Sequence, residues 1–187
     1  MTKKIVMTFG RFNPPTIGHE KLIRAVQKMA GSNDWLIIPS QSYEKKKNPL
    51  PYKYKTEMML KLFPWAAKNI DVNACCNTPF VALSHVMSLG YTDVIFVAGS
   101  DRVSEYERRI LPYNRKMDVA QPFAFNSIVI ESAGERDPDA DGAEGMSASK
   151  LRKFAVEGKT SDFIAGLPNT ISASEKVKMM NEVLKMM

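Results

Sequence analysis

Ile5-Val6-Met7-Thr8-Phe9-Gly10-Arg11-Phe12-Asn13-Pro14-Pro15-Thr16-Ile17-Gly18-His19 is the stretch whose reading settles the fold class of this chain. Ile5 to Phe9 is a short, mostly apolar run that reads as a buried strand, and Gly10, Pro14, Pro15 and Gly18 then break the pattern into a loop. Beyond the loop, Leu22, Ile23, Val26, Met29 and Ala30 recur at the spacing of one helix face, while Glu20, Lys21, Arg24 and Lys28 fall elsewhere. Gly31 is a natural stop for that helix. The unit is strand, loop, helix.

The alternation continues outward. Trp35 to Ile38 reads as a strand, Lys55 to Phe63 as a helix halted near Pro64, and Ile70 to Ala74 as a further strand. Thr78-Pro79 opens the next helix, because Thr can cap and Pro suits the first helical position, and Gly90 closes its face of Phe80, Val81, Leu83, Val86 and Met87. Val94 to Ala98 is apolar enough for a strand covered on both faces, and Phe123 to Ile130 gives one more. Such alternation predicts an α/β fold, Rossmann-like and doubly wound, with a mainly parallel sheet and helices on both faces. Ligands of such sheets bind at the carboxyl ends of the strands, which places Gly10 to His19 and Gly99 to Arg102 on one rim.

With 187 residues, 44% of them hydrophobic, the chain is long enough for one sizeable core, and 1–187 reads as a single domain. Residues 132–145 are rich in Gly, Asp and Glu and read as a flexible loop. Ser172 and Glu175 have the spacing of a capping box, opening a last helix with Val177, Met180, Val183 and Leu184 as its apolar stripe. Its methionines read as core-edge or subunit packing, and a homo-oligomer stays open. The net charge of +6 suits any phosphate-binding enzyme. It permits nucleic acid without requiring it, and no basic arm interleaved with aromatics stands out.

Cys75 and Cys76 are neighbours and poorly placed to bridge each other, which fits a reducing, cytoplasmic setting and a packing role. No signal-peptide core or membrane-length apolar run occurs, so no membrane partner is expected. Asp137 to Gly142 imitates the opening of a calcium loop, but its closing acid is replaced by Ala148 and Pro138 is unwelcome there. His85 has no ligand partner at a useful spacing and reads as structural or solvated.

Gly10 to His19 has what a phosphate site needs. Gly10 and Gly18 let the backbone approach a ligand, Thr16 can cap the helix, and His19 would stand in a first turn whose unpaired N–H groups favour anions. The same residues would serve equally as a cap and a polar helix start. Later, Ser147 or Ser149 would cap a helix on which Arg152, one turn in, can offer a planar fork to phosphate oxygens. That segment alone also fits a capped surface helix with an exposed Arg.

The first segment resembles the signature G-x-F-x-P-x-(H/T)-x-G-H of the nucleotidyltransferase superfamily, relatives of the catalytic domains of class I aminoacyl-tRNA synthetases; Gly10, Phe12, Pro14, Thr16, Gly18 and His19 meet every fixed position. Met146-Ser147-Ala148-Ser149-Lys150-Leu151-Arg152 is similar to the second signature, I-S-S-T-x-x-R, without a gap. Ile171-Ser172-Ala173-Ser174 imitates it too, but Val177 stands where Arg should be. Gly99-Ser100-Asp101 resembles the family's G-x-D segment, although Asp101 could instead cap the following helix. Lys55-x-x-Met58 is similar to an R-x-x-M element that meets the acceptor or phosphates, with Lys lacking the fork of Arg.

The resemblance implies direct transfer of a nucleoside monophosphate from a triphosphate to a phosphorylated small molecule, with pyrophosphate leaving and no covalent enzyme intermediate. Positioning and preorganised charge would carry such catalysis. The implied catalytic set is His19, Thr16, Arg152 and Ser149. Gly10, Arg11, Phe12, Gly18, Gly99, Asp101, Ser147 and Lys150 would handle the nucleotide and its phosphates, while Lys46 and Lys55 would meet the acceptor. Mg²⁺ would ride on the triphosphate rather than on protein side chains.

Gly10-Arg11-Phe12 with Pro14 resembles nicotinamide-mononucleotide adenylyltransferases, and Thr16-x-Gly18-His19 resembles phosphopantetheine adenylyltransferases. Cytidylyltransferases usually carry His at the Thr16 position, so ATP and a nicotinamide-mononucleotide-like acceptor are favoured. The run into Glu20-Lys21-Leu22-Ile23 is similar to uncharacterised members encoded by tailed bacteriophages, which would act in the host cytoplasm. The alternative of another class is a non-catalytic nucleotide- or RNA-binding module.

Overall fold

A computed structural model describes residues 2–135 and 145–187. The chain divides into two compact units. The first comprises Met1–Gly10, Leu22–Ser40 and Asp71–Arg136, and the second Arg11–Lys21, Gln41–Ile70 and Asp137–Met187.

The first unit is built on four strands: β1 (Lys4–Gly10), β2 (Asp34–Pro39), β3 (Asp93–Ala98) and β4 (Ser127–Ser132). All pair in parallel, in the order β2-β1-β3-β4. The winding reverses between β1 and β3, which makes the gap between their carboxyl ends the topological switch point. Met7 pairs with Phe96, so the register carried three residues onward sets Gly10 level with Gly99 on that rim. Gly10 also faces Pro39 of β2, and its carbonyl accepts from the Ser40 N–H at 2.7 Å. This is the doubly wound parallel sheet that the alternation predicts.

Ile5, Met7, Ile38, Val94, Phe96 and Ile130 form one core cluster with Ala82, Leu83 and Val86 of α3 (Pro79–Ser88) and with Ile110 of α4 (Val103–Ile110). Residues of the opposite parity, Val6, Thr8, Ile37 and Val97, are buried as well, so β1, β2 and β3 are covered on both faces, while Val129 on β4 is exposed. Helix α1 (Ile17–Ala30) buries Ile23, Val26 and Ala30, and Gly31 ends it with a φ of 56°. Thr78 caps α3 by accepting from the Val81 N–H, as its sequence predicts.

Two strand expectations fail locally. Ile70 to Ala74 is not a strand: one carboxylate oxygen of Asp71 accepts from the N–H groups of Asn73 and Ala74, which folds the backbone into a turn. The other oxygen meets His85 Nε2 at 2.9 Å, which gives His85 its structural partner. The last strand begins at Ser127 rather than Phe123, because the backbone of Phe125 is held by the side chain of Asn114 instead of by a strand. Cys75 and Cys76 are both free thiols, the first exposed and the second buried.

The second unit carries α2 (Tyr52–Leu62), α5 (Ala148–Val156), α6 (Thr160–Ala165) and α7 (Ala173–Met186), together with the first turn of α1. The Ser172–Glu175 capping box at the start of α7 is formed in both directions. The buried face of that helix is rotated from the expected stripe: it consists of Lys176, Met179, Met180 and Val183, while Leu184 is exposed. A lysine joins the buried face because carbonyl oxygens meet its ammonium, a pattern no apolar periodicity could reveal. The loop expected at 132–145 lies, from 136 to 144, outside the described residues, as does the whole calcium-like string from Asp137 to Gly142. No helix among the described residues is long and apolar enough to cross a membrane.

Candidate active site

The second unit brings the two sequence signatures together. Thr16 is fully buried at the start of α1, and its Oγ1 accepts from the His19 N–H at 3.2 Å. In return His19 Nδ1 accepts from the Thr16 N–H at 3.1 Å, with Thr16 Oγ1 at the same distance. The result is a capping box in which imidazole stands where Glu or Gln is usual. It has a chemical consequence: a backbone N–H can only donate, so Nδ1 is the bare nitrogen and the proton of the neutral ring sits on Nε2. Nε2–H is then the donor of the ring. The buried ring of Phe12 supports the imidazole, with centroids 4.8 Å apart. Phe12 adopts a φ of 47°, a left-handed conformation costly for a residue with a Cβ, and its burial helps to hold it there.

Of the first helical N–H groups, that of Ile17 donates to Gly166 O and that of His19 to Thr16 Oγ1; the described residues supply Gly18 N–H with no acceptor. An open N–H at a helix start, beside an imidazole donor, suits an anion.

Arg152 comes to this same loop from α5. Its Nη1 donates to Asn13 O at 2.8 Å and its Nη2 to Ser149 Oγ at 2.9 Å. Ser147 rather than Ser149 caps the helix, accepting from the Lys150 N–H. Ser149 instead steadies the guanidinium. Burial, and after it the charge of Arg11, pulls the Arg152 pKa below its ordinary value, while Glu44 acts the other way. Two like charges held near each other are relieved by an anion between them.

Asn13 joins these parts, and the sequence signature passes over it as a variable position. Its buried side chain donates to Leu50 O and accepts from Leu50 N–H, both at 3.0 Å, while its carbonyl receives Arg152. Leu50 lies just before α2, on which Lys55 stands. That lysine is only 1% exposed, and burial lowers its pKa to about 8. Lys46 is exposed in a short turn closed by the Glu44–Asn48 bridge.

The remaining candidates stand at the rim of the first unit. A Cβ on Gly99 would lie 2.7 Å from Asp101 Oδ1, so the absence of a side chain there makes room for the carboxylate. Asp101 is not the cap of α4, whose N-cap position is Arg102 with no side-chain bond. Among the described residues no three His, Cys, Asp or Glu side chains gather into a cation cage.

A family model described as Cytidylyltransferase-like matches residues 7–154, which contain both signatures. The chain belongs to the cytidylyltransferase-like family. That family lies within the nucleotidyltransferase superfamily that the two signatures resemble. A curated relative from Acholeplasma laidlawii, named "Probable nicotinate-nucleotide adenylyltransferase", is 25% identical over 157 residues, covering 77% of this chain and 82% of the relative.

Solved structures share the fold. The nicotinic acid mononucleotide adenylyltransferase of Plasmodium falciparum complexed with APC aligns at a TM-score of 0.60 and 16% identity, over 96% of this chain and 98% of that one. A bifunctional NMN adenylyltransferase/ADP ribose pyrophosphatase from Francisella tularensis gives 0.58 and 14%, over 100% of this chain and 52% of its own. At such identities these likenesses speak for the Rossmann-like architecture alone.

Proposed function

We propose that this member of the cytidylyltransferase-like family transfers AMP from ATP to a pyridine mononucleotide, with pyrophosphate as the leaving group. One observation carries the reading: His19, its Nδ1 engaged by the Thr16 N–H, stands in the first turn of α1 directly after the loop whose Asn13 carbonyl holds Arg152, which supports assigning the imidazole and the guanidinium to one anion site. The family supports nucleotidyl transfer, and the nicotinate-nucleotide adenylyltransferase relative supports the choice of ATP and of a pyridine mononucleotide acceptor.

In this reading an oxygen of the acceptor phosphate attacks the α-phosphorus in line, the bond to the β-phosphate oxygen breaks, and its electron pair leaves with pyrophosphate. No general base is needed, because the attacking oxygen is already anionic. His19 Nε2–H and Gly18 N–H donate to the triphosphate, Arg152 offsets the charge that grows on the leaving group, and Ser149 and Thr16 hold these two side chains in place. Arg11, Lys150 and the exposed Lys46 add positive charge for the acceptor and departing phosphates. Ser147 orders the start of α5; by sequence resemblance alone, Gly10, Gly99 and Asp101 would position the nucleotide and Lys55 would meet the acceptor. Mg²⁺ fits this donor set as a passenger on the triphosphate, where it would neutralise phosphate charge. The cytoplasm is the setting this reading expects.

The test is pyrophosphate release with ATP or CTP against nicotinate mononucleotide, nicotinamide mononucleotide and phosphopantetheine. ATP with a pyridine mononucleotide should turn over fastest. Nucleotide binding without turnover across the whole matrix would overturn the reading in favour of a non-catalytic binding module.

A further inference from the structure

Lys176 lies beyond residue 154, where the match to the family model ends, and it is buried, only 3% exposed. It donates to Ile164 O at 3.2 Å, Leu167 O at 3.1 Å and Asn169 Oδ1 at 3.0 Å. Three oxygens from one short turn thus surround one cation, at the end of α6 where helix carbonyls concentrate negative charge.

Between the two clamped carbonyls sits Gly166, and both signature helices lean on it. Its carbonyl accepts from the N–H of Ile17, the residue that follows Thr16. On its other side a Cβ would stand 3.0 Å from Met146 Sδ and 3.2 Å from Leu151 Cδ1, the residues that flank Ser147 and Arg152 within the second signature. The Gly166 turn is therefore wedged between the start of α1 and the start of α5, and Lys176 fixes its shape.

We propose that Lys176 is a positioning residue: by clamping the Gly166 turn it sets the start of α1, with His19, against the start of α5, with Arg152. This rests on the proposed nucleotidyl transfer only for its catalytic consequence; the placement of His19 stands apart from it. The ammonium touches no substrate in this scheme, so its loss acts through geometry. Small displacements of aligned donors lower the rate of the chemical step while leaving ground-state affinity nearly intact.

The experiment uses the full chain with Lys176→Met, Asn169→Ala, which removes one of the three oxygens, and the exposed Lys178→Met as control. Circular dichroism establishes folding, pyrophosphate release gives kcat and KM for ATP, and ring ¹⁵N spectra report His19 directly. The chain has two histidines, so the two rings are readily told apart. Folded Lys176→Met should lose about tenfold or more in kcat with KM within about threefold, and its His19 ring shifts should move. Asn169→Ala should move both in the same direction by less, and Lys178→Met should match wild type.

Wild-type kcat and His19 shifts in folded Lys176→Met overturn the proposal. If that variant does not fold, unchanged His19 shifts in Asn169→Ala overturn it instead. A wild-type protein without turnover defeats the proposed function, and the ring shifts then decide the clamp alone.

Discussion

Replacing His19 separates two jobs that the structure gives to one ring. His19→Ala removes the Nδ1 acceptor of the Thr16 N–H, a contact of 3.1 Å at a buried helix start, and with it the Nε2–H donor. Loss of half a capping box costs about 1 kcal/mol, which for a chain of this size lowers Tm by roughly 2–4 °C. Loss of a preorganised donor to a charge that develops in the transition state lowers kcat by about 10²–10³.

His19→Glu divides these effects. Glutamate at the third helical position is the usual partner in a capping box and favours the helix dipole, so Tm should return to within about 1 °C of wild type. Its carboxylate repels a triphosphate, so turnover should fall below that of His19→Ala. Calorimetry and pyrophosphate release at saturating ATP give the two readouts. Turnover within threefold of wild type in either variant would falsify the role assigned to the imidazole.

Three further outcomes follow from the same geometry. Arg152→Lys keeps the charge but cannot reach both Asn13 O and Ser149 Oγ with a planar fork, so kcat should drop about 10–100-fold with Tm little changed; wild-type kinetics would remove the guanidinium from the site. Asn13→Ala strands a buried N–H and a buried carbonyl of Leu50, a loss of about 2–5 kcal/mol in urea unfolding, and a loss under about 1 kcal/mol would count against the hub assigned to Asn13. Lys55 gives a pH signature.

Burial lowers Lys55 to about 8 in the fold, against about 10.4 for an unfolded chain, so between these values the unfolded chain binds more protons. The Lys55 contribution therefore makes the fold more stable as pH climbs from about 8 to about 10, by at most about 3 kcal/mol. Cys76, raised to about 11 by burial, acts oppositely, so the quantity to read is the difference between wild type and Lys55→Met. Identical pH dependence of urea unfolding in the two proteins would exclude this ionisation.

Local chemistry was legible without coordinates. Thr78 was readable as a cap, Ser147 as one of two candidate caps beside Ser149, and Ser172 with Glu175 as a box, because each bond joins residues three apart. The strands β1, β2 and β3 were readable because parallel strands buried on both faces must be nearly continuous apolar runs. Ile70 to Ala74 misled for the complementary reason: its apolar content fits a strand, but Asp71 turns its carboxylate onto the next backbone N–H groups. Thr16 was readable as a cap, with His19 in the first helical turn. That they form a reciprocal cap, which places the ring proton on Nε2, depends on a rotamer that spacing does not contain.

The amino-acid sequence alone determined the α/β class of the fold, most of the caps and the two signatures, since periodicity and capping act over a few residues along the chain. Tertiary structure alone decided which distant groups meet: Asn13 with Leu50 and Arg152, and Lys176 with the turn that carries Gly166. The side chains in those meetings sit at positions where no repeat or motif requires them. What selects them is the cost of leaving a buried carbonyl, N–H or charge without a partner, and that cost exists only once the chain has folded around them.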